Sequence, residues 1–115
     1  MTGSTSLSIE AAVSDSVATI TLTGDVDISN SASVTAALDA QAPPIRRIVV
    51  DLRGVSFMDS MGLGALIDGR NRLALDGIEV VLVTGNGPVA RLLELTKLTG
   101  SFMIFDSVET ATSAG

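Results

Sequence analysis

Residues 46–66 read RRIVVDLRGVSFMDSMGLGAL, and two different periodicities meet inside this stretch. Arg46-Arg-Ile-Val-Val-Asp-Leu52 is a compact apolar run, the pattern of a central strand buried on both faces. From Ser60 the pattern changes. Leu63, Leu66, Ile67, Leu73 and Ala74 recur at helical spacing, which predicts a helix from Ser60 to about Leu75. A buried strand running directly into an amphipathic helix is the repeating unit of an α/β fold. Between the two lie an acid and a hydroxyl, Asp59-Ser60, followed by two glycines.

Working outward from this unit, the same alternation extends along the chain. Upstream, Leu7–Val13 reads as a short strand, with a turn at Ser14-Asp15-Ser16. In Val17–Thr23 apolar residues and threonines alternate with period two, so the pair forms a hairpin. Gly24-Asp25-Val26-Asp27 breaks that alternation. Ser29 or Asn30 is suited to cap a helix through Ala32, Val34, Ala37 and Leu38, which Pro43-Pro44 ends. Downstream, Asp76-Gly77 is a stop signal and Ile78–Val83 another buried strand. Pro88 suits the first turn of a helix carrying Val89, Leu92, Leu93 and Leu95. Phe102–Phe105 is a last strand, and Asp106 or Ser107 caps a terminal helix that fades into ATSAG. The 115 residues make a single domain, 1–115, with residues 1–6 and 112–115 expected to be flexible. No internal repeat or linker interrupts it.

Composition removes several classes of function. The chain has no cysteine and no histidine, so disulfides, thiolate chemistry and the usual zinc or transition-metal ligands are missing. No metal and no cofactor is expected. The net charge is −6 and the seven basic residues are scattered, which argues against nucleic acid as a partner. Aromatic residues make up only 3% of the chain, and Phe57, Phe102 and Phe105 all lie in apolar runs that read as core rather than as base-stacking platforms. The N-terminal MTGSTSLSIE lacks the features of a signal peptide, and no apolar run approaches the roughly 20 residues of a membrane span. A soluble, cytoplasmic domain is expected.

Ser60 can be read in four ways. As a nucleophile it lacks an imidazole anywhere in the chain, and the only lysine, Lys97, belongs to a different predicted helix. DSMGLG also departs from the nucleophile-elbow pattern. Asp25, Asp27 and Asp59 can converge at neighbouring strand ends, yet acids there more often cap helices or face solvent. As a phosphate cradle, Gly62 and Gly64 lack the third glycine of a dinucleotide motif, and Gly85-Asn86-Gly87-Pro88 is equally well explained as a turn before a helix. As a cap, either Asp59 or Ser60 has an oxygen for the free amides of the helix. The fourth reading is a contact surface, because Met58 and Met61 flank the hydroxyl where a loop should be polar. One Met in the core and the other merely tolerated at the surface is the alternative.

The wider stretch Val49–Gly64 resembles the signature of STAS domains, in particular the bacterial anti-sigma-factor antagonists. Leu22-Thr23-Gly24-Asp25-Val26-Asp27 is similar to that family's Leu-x-Gly-Glu-hydrophobic-Asp turn, and Gly87–Leu93 to the helix before its last strand. The likeness covers nearly the whole chain in order and spacing. It implies a STAS fold: a mixed, mostly parallel sheet of about five strands with helices mainly on one face. It also implies that Ser60 is a phosphoacceptor and that the chain is not an enzyme. The unphosphorylated form then binds an anti-sigma factor, commonly a serine kinase of the histidine-kinase-like ATPase type, and frees the sigma factor. Phosphorylation ends the contact and a phosphatase restores it. On this resemblance the partner-binding residues are Asp25, Asp27, Met58, Asp59, Met61, Gly62 and Leu63, with the chain a monomer when free. Met61 stands where the family usually has a small residue, and Asp25 replaces the commoner Glu. The alternatives are an accessory STAS subunit of a membrane transporter complex and a structural module of a stress-signalling assembly.

Overall fold

The computed structural model describes residues 6–98, 100 and 102–113. Strands β1 (Ser8–Ser14), β2 (Val17–Val26), β3 (Arg47–Met58), β4 (Glu79–Val83) and β5 (Met103–Phe105) form one sheet in sequential order. β1 and β2 are antiparallel, and every later pair is parallel. Helices α1 (Ser31–Asp39), α2 (Ser60–Leu75) and α3 (Pro88–Leu95) make the parallel crossovers, and α4 (Val108–Ser113) follows β5. This is the expected mixed, mostly parallel α/β sheet. Among the described residues, no helix is long and apolar enough to cross a membrane.

The strands divide their side chains between two layers because successive residues point to opposite faces. Ile20 and Leu22 of β2, Ile48, Val50 and Leu52 of β3, and Leu82 of β4 are buried in the main core with Leu38, Leu66 and Leu93 from the first three helices. On the other face Val17, Val49, Val81 and Val83 share a smaller cluster with Ala111 of α4. Arg47 pins α4 there, donating from Nε to Glu79 (2.8 Å) and from a terminal nitrogen to the Ala111 carbonyl (2.8 Å). The helices therefore lie mainly on one face.

Several boundaries differ from the sequence reading. α4 runs through Thr112 and Ser113, so these two are ordered helix rather than tail, and Ser107 caps it by accepting from the Thr110 amide. The remaining expected tail residues, 1–5 and 114–115, lie outside the described residues. β2 continues past Thr23 to Val26, and β3 continues six residues past Leu52 to Met58. The physical reason is bulging. Thr21 pairs with Asp51 but Thr23 with Gly54, and Gly24 pairs with Val55 but Asp25 with Phe57, so β3 twice carries one more residue than β2. Each extra residue resets which side chain faces inward. After Leu52 the inward residues are Val55 and Met58, three apart instead of two. Gly54 sits at the first bulge, where an added Cβ would lie 3.3 Å from the Leu22 carbonyl oxygen.

Those two bulges also shape the end of the sheet. β4 pairs with β3 only from Arg47 to Asp51. From Gly24, past the end of β1's pairing as well, β2 and β3 run on together as a two-stranded ribbon whose end delivers Asp59 and Ser60.

Candidate functional site

The carboxyl ends of parallel strands are where open α/β sheets place ligands and partners, because loops and helix starts converge there. Here Asp59 ends the ribbon and Ser60 opens α2. Asp59 is the N-cap. Its Oδ1 accepts from the amides of Met61 (2.9 Å) and Gly62 (3.0 Å), and its Oδ2 accepts from the Ile28 amide (3.2 Å). Its own amide donates to the Val26 carbonyl (3.1 Å), so one residue ties the end of β3, the loop after β2 and the first turn of α2 together. A cap of this kind contributes about 1 kcal/mol to the helix alone.

With Asp59 as cap, Ser60 is released from that role. It occupies the first helical position and is exposed, and among the described residues its hydroxyl has no hydrogen-bond partner. Nor do the acids assemble into paired carboxylates. Asp59 is satisfied by backbone amides, and Asp27 is satisfied locally, accepting from the amide (2.9 Å) and hydroxyl of Ser29. Asn30 completes the turn, accepting from the Asp27 amide (2.9 Å) and donating to the Asp25 carbonyl (2.8 Å). Asn30 therefore folds the loop instead of capping α1 through its side chain, the role the sequence suggested for it. Asp25 and Asp27 are half-buried members of this loop.

The two methionines separate. Met58 is 6% exposed and belongs to the core, whereas Met61 is 48% exposed. Leu63 is buried, and so is Gly62, whose missing side chain is what lets α2 approach the ribbon. A Cβ there would meet Val26 Cγ1 at 2.6 Å and Met58 Cγ at 3.0 Å. Met58, Gly62 and Leu63, expected from the resemblance to touch a partner, are thus placed in the packing beneath the exposed residues. The G-x-G of Gly62 and Gly64 is a packing feature, since only the first glycine is crowded.

Two apolar residues that the sequence reading did not assign to the surface are exposed. Phe57, read as core, is 51% exposed because the second bulge turns it outward, and Ile28 is 72% exposed at the tip of the loop. Ile28 was detectable as an apolar residue between Asp27 and Ser29. The three-residue apolar spacing Leu52, Val55, Met58 would have revealed Phe57. Ile28, Phe57 and Met61 each lie within two residues of Asp59 or are hydrogen-bonded to it, so exposed apolar residues sit on the segments that meet at Asp59.

Asp51 and Arg53 brace the ribbon from below. Arg53 donates bidentately to the Asp51 carboxylate (3.0 and 2.9 Å), and its amide also donates to Asp51 (3.1 Å), closing the first bulge. Burial pushes the Asp51 carboxyl up, but hydrogen bonds and charge from Arg53 outweigh it and hold it below the ordinary carboxylate value.

The STAS domain family profile matches residues 8–111. An anti-sigma F factor antagonist from Paenibacillus polymyxa is 31% identical over 90 residues, covering 76% of this chain and 77% of that protein. The crystal structure of an anti-sigma factor antagonist from Mycobacterium paratuberculosis superposes with a TM-score of 0.83 at 24% identity, over 95% of this chain and 93% of that one. The Bacillus cell fate determinant SpoIIAA in its phosphorylated form superposes at 0.68 and 19% identity, over 93% and 96% of the two chains. With a family match across nearly its whole length and the ribbon-and-cap geometry just described, the chain belongs to the STAS domain family.

Proposed function

We propose that this protein is an anti-sigma factor antagonist, a binding module that is switched by phosphorylation of Ser60 and has no catalytic role of its own. The observation that carries this reading is the exposed hydroxyl at the first position of α2, without a hydrogen-bond partner among the described residues, while its neighbour Asp59 does the capping and Ile28, Phe57 and Met61 are exposed on the adjoining segments. The curated relative, an anti-sigma F factor antagonist, supports an anti-sigma factor as the partner. The partner is a serine kinase as well as a ligand. It transfers the γ-phosphoryl group of ATP to the Ser60 oxygen, whose proton passes to a base on the kinase, leaving ADP. A phosphatase reverses the modification, and the binding unit is a single chain.

The switch follows from charge placement. A phosphoserine adds about −1.5 to −2 charges. Two of the first helix amides, those of Met61 and Gly62, are already bound by Asp59. The phosphate therefore stands beside the Asp59 carboxylate, with Asp25 and Asp27 on the adjoining loop and exposed apolar residues nearby in the chain. Burying it against a partner carries a desolvation cost that nothing nearby offsets. Because Ser60 holds no part of the fold together, the chain itself stays folded. Incubation with candidate kinases and ATP, followed by mass spectrometric mapping, tests the assignment. Phosphate on Ser60, absent in Ser60→Ala, is the expected result. Phosphate elsewhere, with Ser60 unmodified by every binding kinase, contradicts it.

A further inference from the structure

β1 closes one end of the sheet and is paired on one side only. Its turn to β2 contains two residues, Asp15 and Ser16, which makes Ser14 and Val17 a hydrogen-bonded pair. The alternation of an antiparallel ladder then directs the amides and carbonyls of Glu10 and Ala12 toward β2. Those of Ile9, Ala11 and Val13 point away from the sheet, and no described residue hydrogen-bonds to them.

Exposed edges are normally blunted by lysine, proline, a bulge or an inward charge. The strand SIEAAVS has no lysine and no proline, and its pairing with β2 is regular throughout. Its one charge is Glu10. Val13, at 58% exposure, is an apolar residue with nothing over it.

The strand is also self-complementary. In an antiparallel pairing of two copies centred on Ala11, all seven residues overlap, from Ser8 opposite Ser14 to Ser14 opposite Ser8. Ala11 then faces Ala11, and the free backbone groups of Ile9 in one copy meet those of Val13 in the other. Exposed Val13 gains an apolar cross-strand neighbour in Ile9, and Glu10 lies opposite Ala12, so no like charges oppose each other. Centring the pair on Glu10 would set two carboxylates face to face, and centring it on Ala12 would run Ile9 into the turn at Asp15.

We propose that β1 pairs with β1 of a second copy about a two-fold axis at Ala11, joining two five-stranded sheets into one. A single shared strand pair buries less than the about 1,000 Å² of a stable interface, so the dimer is reversible and forms at high concentration. The carboxyl ends of the strands stay open in it, and the proposal does not rest on the role of Ser60.

The absence of native cysteine permits a register-specific test. Ala11→Cys places the two substituted Cα atoms about 5.5 Å apart, within disulfide reach, whereas Val13→Cys leaves them about 15 Å apart. Under mild oxidation of concentrated protein, Ala11→Cys should give at least about tenfold more disulfide dimer than Val13→Cys. Sedimentation velocity of the unmodified chain should show mass rising from monomer toward dimer with concentration. Ala11→Pro removes an amide that points away from β2 and should weaken that association at least about tenfold while circular dichroism stays native. A mass that remains monomeric at all concentrations overturns the proposal. So do equal cross-linking of the two cysteine variants and a dimer unaffected by Ala11→Pro.

Discussion

The two halves of β3 are one continuous strand built on different rules. From Arg47 to Asp51 the ladder is regular, both neighbours are present, and every residue is buried. From Arg53 to Met58 one neighbour has ended, two extra residues have been admitted, and two of every three side chains face outward. The first half does what a sheet centre does, holding two cores together. The second spends regularity on display. It turns Phe57 to solvent, keeps Val55 and Met58 inside as anchors, and sets the entry angle of α2. Bulges near functional sites re-aim side chains in this way. The comparison teaches that core packing and surface display occupy separate segments of the same strand.

The sharpest way to break that comparison is to show that the regular half does not dominate stability. Ile48 is fully buried in the main core, and Ile48→Ala should cost about 2–5 kcal/mol, read as a shift in the urea midpoint. A smaller effect is expected at the junction. Asp59→Ala removes the cap and the tie to Ile28, and should cost about 1–2 kcal/mol, with faster hydrogen exchange in the loop 27–31 and the first turn of α2. Asp59→Asn, which keeps an accepting oxygen, should recover most of that loss. Least of all should be felt on the display surface. Met61→Ala should change stability by no more than about 0.5 kcal/mol, yet weaken partner binding measurably by calorimetry. A Met61→Ala variant that unfolds early but binds normally would erase the distinction.

Much of this was legible in the residues. The start of α2 at Ser60 and its end at Leu75 follow from leucine spacing and the Asp76-Gly77 stop. The hairpin follows from threonine alternation in β2. What was hidden has one cause. A strand is recognised by period two, and two bulges convert the second half of β3 to period three, so its apolar residues do not announce a strand. The same slip concealed the exposure of Phe57 and left the burial of Met58 as one of two alternatives. The cap was ambiguous for another reason. Asp and Ser both accept amide hydrogens, and only the closure of Asp59 onto Met61, Gly62 and Ile28 together assigns the role and leaves Ser60 free.

That division of labour between adjacent residues is the centre of the account: Asp59 holds the fold and Ser60 reports on it. It is tested most directly by comparing Ser60→Asp with the wild-type chain in paired measurements of thermal unfolding and of affinity for the anti-sigma factor proposed as its partner. The account predicts an unfolding temperature essentially unchanged and an affinity at least about tenfold weaker, a difference of about 1.4 kcal/mol or more. Equal affinity of the two proteins would contradict it.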